Sequence, residues 1–402
     1  MHQSALQPGY LPGDPQYRRL SIALFAAGLA TFALLYSTQP LLPELVDAFH
    51  VSPSQSAFSV SFATFGLGLA LLVAGPASEV IGRTNLMRWS VAATSVFALL
   101  SAFAPTWHAL LALRGLQGVA MAGLPAVAMA YLREEVHQHS HARASGLYIA
   151  GTAVGGMAGR LVAGGLADVG GWRFATGGIA AVGIVCAAVV WLLLPASRNF
   201  RPSPSRPSHL LHVFRDPALL ALYGIAATAV GAFVAIYNGA VFRLSGDPYH
   251  LSAGAAGLVF CVYLLGSVGS ATAGTLADRY GRRAVVPVGC LITLAGVAIT
   301  LAAPLPLIVL GLAVMTAGFF AVHGVASGWV PARAHASGVG TGQASSMYLF
   351  SFYLGSSVFG GLAGTAWSHG GWTGVALEAG VLFVVSLILS LLLKQTNARL
   401  AR

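Results

Sequence analysis

The sequence predicts an all-α polytopic membrane protein, with twelve transmembrane helices in two pseudo-symmetric six-helix bundles. Three observations carry this prediction. The chain is very apolar, its basic residues fall in alternate gaps between apolar runs, and its halves repeat one another. Of 402 residues, 56% are hydrophobic and only 8% charged, with a mean hydropathy of +0.77. Soluble domains carry about a quarter charged residues, and a water-soluble fold of this size could not cover so much apolar surface.

A bilayer crossing needs about 20 apolar residues. Such runs lie near 20–42, 55–75, 87–104, 108–132, 143–165, 173–195, 218–242, 253–275, 284–302, 306–330, 339–366 and 373–394. With the N-terminus inside, the cytoplasmic gaps hold Arg18, Arg19, Arg83, Arg88, Arg133, Arg143, Arg198, Arg201, Arg206, Arg215, Arg279, Arg282, Arg283, Arg333, Lys394, Arg399 and Arg402. The outer gaps hold only Arg173 and Arg243. An odd number of spans in either half would scramble this positive-inside pattern. The net charge of +10 therefore reports topology and contact with anionic lipid headgroups rather than nucleic-acid binding.

The chain divides into a cytoplasmic tail (1–19), a first bundle (20–195), a linker (196–217), a second bundle (218–394) and a cytoplasmic tail (395–402). Pro202, Pro204 and Pro207 prevent a regular helix in the linker. Arg18-Arg19 before the first span reads as a retained anchor with no cleaved signal. Cys186, Cys261 and Cys290 fall inside apolar runs without metal-ligand spacing and read as inert thiols.

Gly75-Pro-Ala-Ser-Glu79-Val-Ile-Gly82-Arg83 and Gly274-Thr-Leu-Ala-Asp278-Arg279-Tyr-Gly281-Arg282 share one pattern about 200 residues apart. Gly170-Gly171-Trp172 matches Gly370-Gly371-Trp372, and Gly155 and Gly164 match Gly355 and Gly364. Tyr36 pairs with Tyr237 at nearly the same spacing. Internal duplication of this kind is characteristic of secondary transporters, whose sites lie between the halves.

On these residues the chain resembles the major facilitator superfamily, in particular its drug:proton antiporter branch and the sugar-efflux-like permeases. The resemblance covers essentially everything after residue 20. The turn at 274–283 matches the family's loop motif closely, whereas the turn at 75–84 has Glu79 for the usual Asp and Thr84 where a base is common. Leu113-Arg114-Gly115-Leu-Gln117-Gly118 is similar to the family's arginine motif on a cavity-lining helix. Gly151, Gly155, Gly156, Gly159, Gly164 and Gly165 resemble its glycine-rich antiporter motif, with Arg160 standing where a proline is common. Gln39-Pro40-Leu-Leu-Pro43-Glu44 resembles the outer end of span one in that branch. The resemblance implies that the two acids dock on the cytoplasmic starts of spans eleven and five in the opposite half, here Ser337-Gly338 and Ser145-Gly146.

The residue chemistry can be read independently. Glu79 and Asp278 stand at helix C-termini, where the helix dipole disfavours an anion, so each needs a compensating partner. Arg83 could pair with Glu134 or Glu135, while Arg282 has no equivalent acid because span ten ends at Pro331-Ala-Arg333. Glu79, Gly82, Arg83, Glu134, Asp278, Gly281 and Arg282 are therefore the expected cytoplasmic gate. Gly151, Gly155, Gly159 and Gly164 line one helix face with Arg160, an expected close helix interface. Ionisable residues within spans are functional candidates by default, and polar ones share the cavity. The expected cavity holds Tyr36, Gln39, Arg114, Gln117, Tyr237, Asn238 and His323, with Glu44, Arg114 and His323 as proton-coupling candidates. The scarcity of deep acids disfavours a strongly cationic substrate.

His137-Gln-His139-Ser-His141 reads as a solvated loop rather than a metal site. Gly338-Val-Gly340-Thr-Gly342 lacks the strand and βαβ context of a nucleotide loop. The expected protein is thus a monomeric, non-enzymatic transporter of the bacterial inner membrane without cofactor or metal. It moves a small solute by alternating access, most simply proton-coupled efflux of a drug-like, sugar-like or organic-acid compound. The alternatives are a proton-coupled importer or facilitator of a sugar or organic acid, and a non-transporting sensor or scaffold.

Overall fold

The computed structural model describes residues 9–200 and 214–396. The first half comprises α1 (Pro15–Tyr36), α2 (Leu42–Phe49), α3 (Pro53–Ile81), α4 (Arg83–Ala102), α5 (Trp107–Met121), α6 (Ala128–Glu135) and α7 (His141–Leu193). The second comprises α8 (Pro217–Ser245), α9 (Ala253–Gly257), α10 (Tyr263–Tyr280), α11 (Arg282–Ile299), α12 (Leu305–Ala336) and α13 (Thr341–Thr396). Among the described residues, eight helical stretches are long and apolar enough to cross a membrane. Two of these, α7 and α13, are each a pair of spans broken only at Gly171 (φ 73°) and Gly371 (φ 54°). Glycine reaches such dihedrals at little cost, which accounts for the repeated Gly-Gly-Trp. With α4 and the interrupted α5–α6 pair, the spans number twelve among the described residues.

Small residues set the packing inside each half. Gly151, Gly155 and Gly159 on α7 lie against the backbone of α1 at Phe25, Leu29 and Ala33. Gly355 on α13 lies in the same way against Ala227 on α8. Helices in lipid gain little from burying apolar surface against one another, so close backbone approach supplies the contact. This glycine face is therefore an interface within a half, apart from Gly164.

Several sequence expectations are corrected in detail. The glycine–acid–arginine stretches are not extended turns, because α3 and α10 run on through Glu79 and Asp278. Only Gly82 (φ 88°) and Gly281 (φ 84°) leave the helix, and the next helix starts at the following arginine. Pro331 likewise lies inside α12, which ends at Ala336. Ser145 and Gly146 sit within α7, which begins at His141, and Ser337 closes α12 rather than opening α13. Span eight starts as α9 and tightens into a 3₁₀ stretch at Leu258–Val262 before α10.

Residues 201–213 of the linker and 397–402 of the tail lie outside the described residues. The start of the linker is fastened to the first half. Buried Glu135 accepts hydrogen bonds from the Arg198 and Asn199 amides at 2.6 and 2.8 Å, and the Arg198 guanidinium lies 3.6 Å from its other oxygen. At the linker's far end, Asp216 caps α8 by accepting from the Ala218 amide at 2.8 Å. Its other oxygen pairs with Arg333 of α12 at 2.7 Å.

Burial opposes the Asp216 charge, but the Arg333 guanidinium and the Ala218 amide outweigh it and hold the carboxyl below its ordinary range. The depressed folded value means that the stabilisation is complete above the unfolded value of about 3.9 and is lost as pH falls through the folded one. Asp216→Asn is expected to destabilise the protein by about 1.5–3 kcal/mol at pH 7, the range for hydrogen bonds to a charged group. Thermal unfolding in detergent should show this deficit shrinking only below about pH 4.

Candidate functional site

Among the described residues, the two halves cross backbone to backbone at glycines near one face of the molecule and not near the other. The face carrying Gly82, Gly281, Arg133 and the linker ends is called the basic face here, and its opposite the far face. Pseudo-symmetry governs the closure at the far face. A side chain at Gly164 would stand 2.6 Å from the Ala253 carbonyl at the start of span eight, and one at Gly364 would strike the Pro53–Ser54 backbone at the start of span two. These glycines are the pair noted 200 residues apart in the sequence.

Polar bonds flank both crossings. Ser54 and Thr365 share a 2.8 Å hydrogen bond, and the Ser357 hydroxyl donates to the Ser61 carbonyl at 2.8 Å. On the other side Asp168 accepts from the Ser252 hydroxyl at 2.7 Å and from the Gly254 amide at 3.1 Å. Toward the basic face the same four spans make no such glycine crossing among the described residues. Gly75, Gly146, Gly274 and Gly342 have nothing within 4 Å of where a side chain would begin.

Arg160 lies in the far-face interface, 2% exposed, with Nε donating to Gln39 Oε1 at 2.6 Å and Nη1 to the Gly156 carbonyl at 2.6 Å. Its guanidinium carbon sits 4.3 Å from the centre of the Tyr36 ring, 4.9 Å from Phe260 and 4.8 Å from Tyr263. Two of these rings come from the second half. Each cation–π contact of this kind contributes about 0.5–2 kcal/mol. Gln39 passes the connection across the halves, donating from Nε2 to Asn238 Oδ1 at 2.7 Å, and Asn238 donates to the Gly360 carbonyl at 2.8 Å. Arg160 therefore faces this interface and does not reach for the outer surface.

The other sequence candidates divide. Tyr36, Gln39, Asn238 and Arg160 come together in one network. Tyr237 is buried beside it, with its hydroxyl 2.7 Å from Thr316 and its ring 5.2 Å from Phe260. Arg114 belongs inside the first half. It donates to the carbonyls of Ser59, Leu34 and Leu35 and to Gln117 Oε1, bracing the end of α1 against α3 and α5. All four acceptors belong to the first half. His323 lies half-buried in the second half, with Nδ1 3.0 Å from the Tyr348 hydroxyl and its ring against Phe319 and Phe352. Glu44 sits in the first turn of α2, with an oxygen about 3.9 Å from the side-chain position at the Gly171 break.

At the basic face Arg83 holds Glu79 at 2.9 Å and Glu134 at 3.0 Å, and also donates to Ser78. Asp278 is exposed and has no ion-pair or hydrogen-bond partner among the described residues. In the loop after α6 the His137 and His139 rings stack at 5.2 Å, and His141 bonds the Val136 carbonyl.

The sequence reading missed the aromatic wall that continues from Arg160. Phe260, Tyr263, Phe233 and Phe319 form a connected set, with Phe233 and Phe319 stacked at 4.0 Å. One signal was available: Phe319 and His323, and Tyr348 and Phe352, stand four apart and so share helix faces.

The sequence matches the Major Facilitator Superfamily over residues 20–247 and 238–401. It is 41% identical over 382 residues to the uncharacterized MFS-type transporter YybF of Bacillus subtilis, covering 94% of each chain. It is also 41% identical over 392 residues to the inner membrane transport protein YnfM of Escherichia coli, covering 96% of this chain and 93% of that one. Among solved structures, a bacterial homolog of the human lysosomal transporter Spinster, inward-facing and occupied, superposes with a TM-score of 0.78 at 18% identity, covering 96% of this chain and 98% of that one. A D-xylose–proton symporter gives a TM-score of 0.74 at 14% identity, covering 92% and 97%. The duplicated bundles, the glycine crossings between them and these relatives agree: the chain belongs to the major facilitator superfamily.

Proposed function

We propose that this protein is a secondary active transporter of the bacterial inner membrane that exports a small solute in exchange for protons, working as a monomer with its basic face toward the cytoplasm. The observation that carries this reading is the asymmetry between faces: backbone contact across the halves at one and, among the described residues, no such glycine crossing at the other. An alternating-access protein closed to the outside and open to the inside has that form. A solute or proton then shifts the balance between this state and its reverse by as much as it prefers one of them.

In the reverse state the basic face closes, and its acids acquire their task. Asp278 is exposed and ready to meet the opposite half, where the positive end of the α7 dipole, near His141, would favour an anion. Glu79 would turn in the same way to the start of α13 near Thr341, with Arg83 retained by Glu134. His323, within the aromatic wall, and Glu44, at the far face, are the groups assigned to the proton. Arg114 is committed to its carbonyls and holds the first half together.

Two outcomes are expected. In inverted vesicles of matched expression, a transported solute should dissipate an imposed proton gradient. Asp278→Asn should cut that rate about tenfold or more, a loss worth about 1.4 kcal/mol. Glu79→Gln should cost less, because Arg83 keeps Glu134. A scaffold would show no flux to lose, and an importer would couple in the opposite sense. The second outcome concerns the far face, tested with Ser357→Cys in a variant lacking Cys186, Cys261 and Cys290. A membrane-impermeant maleimide added outside should label it slowly, and Gly364→Val should raise the rate several-fold by wedging the crossing apart.

A further inference from the structure

Arg160 carries a charge that nothing around it neutralises. Its side chain is almost fully enclosed, and no carboxylate lies within ion-pair distance among the described residues. A guanidinium has five N–H donors. Two are spent, on Gln39 and on the Gly156 carbonyl. The other N–H of Nη1 and both on Nη2 have no hydrogen-bond partner among the described residues. Aromatic faces ease the burial of a cation, but they do not cancel its charge.

The arginine is also held in place. Gln39 directs its oxygen at Nε because its own amide is engaged by Asn238, and Asn238 is in turn fixed by Gly360. The unspent donors occupy the outer edge of the planar fork, where a carboxylate is bound by two parallel hydrogen bonds. Beside them the half-buried Tyr263 ring is backed by the buried rings of Phe260 and Tyr237, with Tyr237 5.2 Å from Phe260 and 5.0 Å from Tyr263. Two of those rings flank or occupy the 3₁₀ stretch of span eight, a local departure from α-helix that often marks a working segment.

We propose that Arg160 is the substrate anchor, and that the transported solute is an aromatic or similarly flat apolar monocarboxylate. The carboxylate is bound at the free edge of the guanidinium, and the apolar body lies against Tyr263, with Phe260 and Tyr237 packed behind it. One uncompensated positive charge matches one negative charge, and the wall is poor in partners for a sugar: Phe260 has none, the Tyr237 hydroxyl is taken by Thr316, and only the Tyr263 hydroxyl is left without a protein hydrogen bond among the described residues. This inference rests on the transport reading only for the word transported; the binding site stands or falls by itself.

Binding of 1-naphthoate and its neutral counterpart 1-naphthalenemethanol to the purified full-length protein in nanodiscs tests it. Ligand that binds the folded state raises the unfolding temperature by mass action, and titration calorimetry gives the affinities. The acid should bind at least tenfold more tightly than the alcohol. Arg160→Gln should abolish that preference, and Arg160→Lys should retain part of it. The wild-type comparison alone is decisive if the variants fail to fold. Equal affinities for acid and alcohol, binding of neither, or an unchanged preference in Arg160→Gln would overturn the assignment. Charge-selective binding at Arg160 without measurable flux would leave this site standing and sink the transport reading, while flux of neutral solutes with no acid preference would do the reverse.

Discussion

Backbone contact between two halves at a few glycines is the constraint on which this structure depends. In lipid there is no solvent to drive helices together through apolar area, so cohesion comes from van der Waals contact and polar bonds at short range. Gly164 and Gly364 bring span starts of the opposite half within that range, and the polar pairs Ser54–Thr365 and Asp168–Ser252 fasten the edges. The polar groups of this seal can pair with water when it opens, which lowers the cost of parting the halves there. Where the halves must stay intact, the chain uses longer glycine rows, with α7 on α1 and α13 on α8.

The two arginines buried within spans show how context assigns a task to one residue type. Arg114 is surrounded by oxygens of its own half, so four of its five donors are consumed and it acts as a brace. Arg160 meets one carbonyl, one amide oxygen and three rings, two of them across the interface. Moving the halves apart at the far face removes those two rings. The environment of the Arg160 charge is thus tied to the state of the seal, and an anion bound there would change the balance between states. A tenfold difference in its affinity for the two states shifts that balance by about 1.4 kcal/mol.

Much of this was legible in the sequence. Apolar run length, alternating arginines and the repeat spaced by 200 residues define the bundles without any tertiary information. The Gly-Gly-Trp repeat marks where spans five and six, and eleven and twelve, are joined by a single non-helical glycine. Contacts were less legible, because they depend on helix rotation. Arg83 with Glu134 could be anticipated from adjacent loops. The Arg333–Asp216 pair could not, since it joins positions 117 residues apart. The glycine–acid–arginine stretches looked like turns because of their polarity, yet all but one residue of each continues a helix. The aromatic wall was hidden for the opposite reason: phenylalanines are unremarkable in a membrane span until their faces converge.

Electron–electron distance measurements across both faces test the central claim most directly. Spin labels at Asp47 and His369 report on the far face, and labels at Arg143 and Arg279 on the basic face; all four residues are exposed. In nanodiscs between pH 5 and pH 8, the far-face pair should show a short and a long population, and the basic-face pair should show the reverse. As pH changes, the short far-face fraction should rise and fall together with the long basic-face fraction. Distances that stay single and fixed at both faces, or that lengthen together, would contradict an alternating seal.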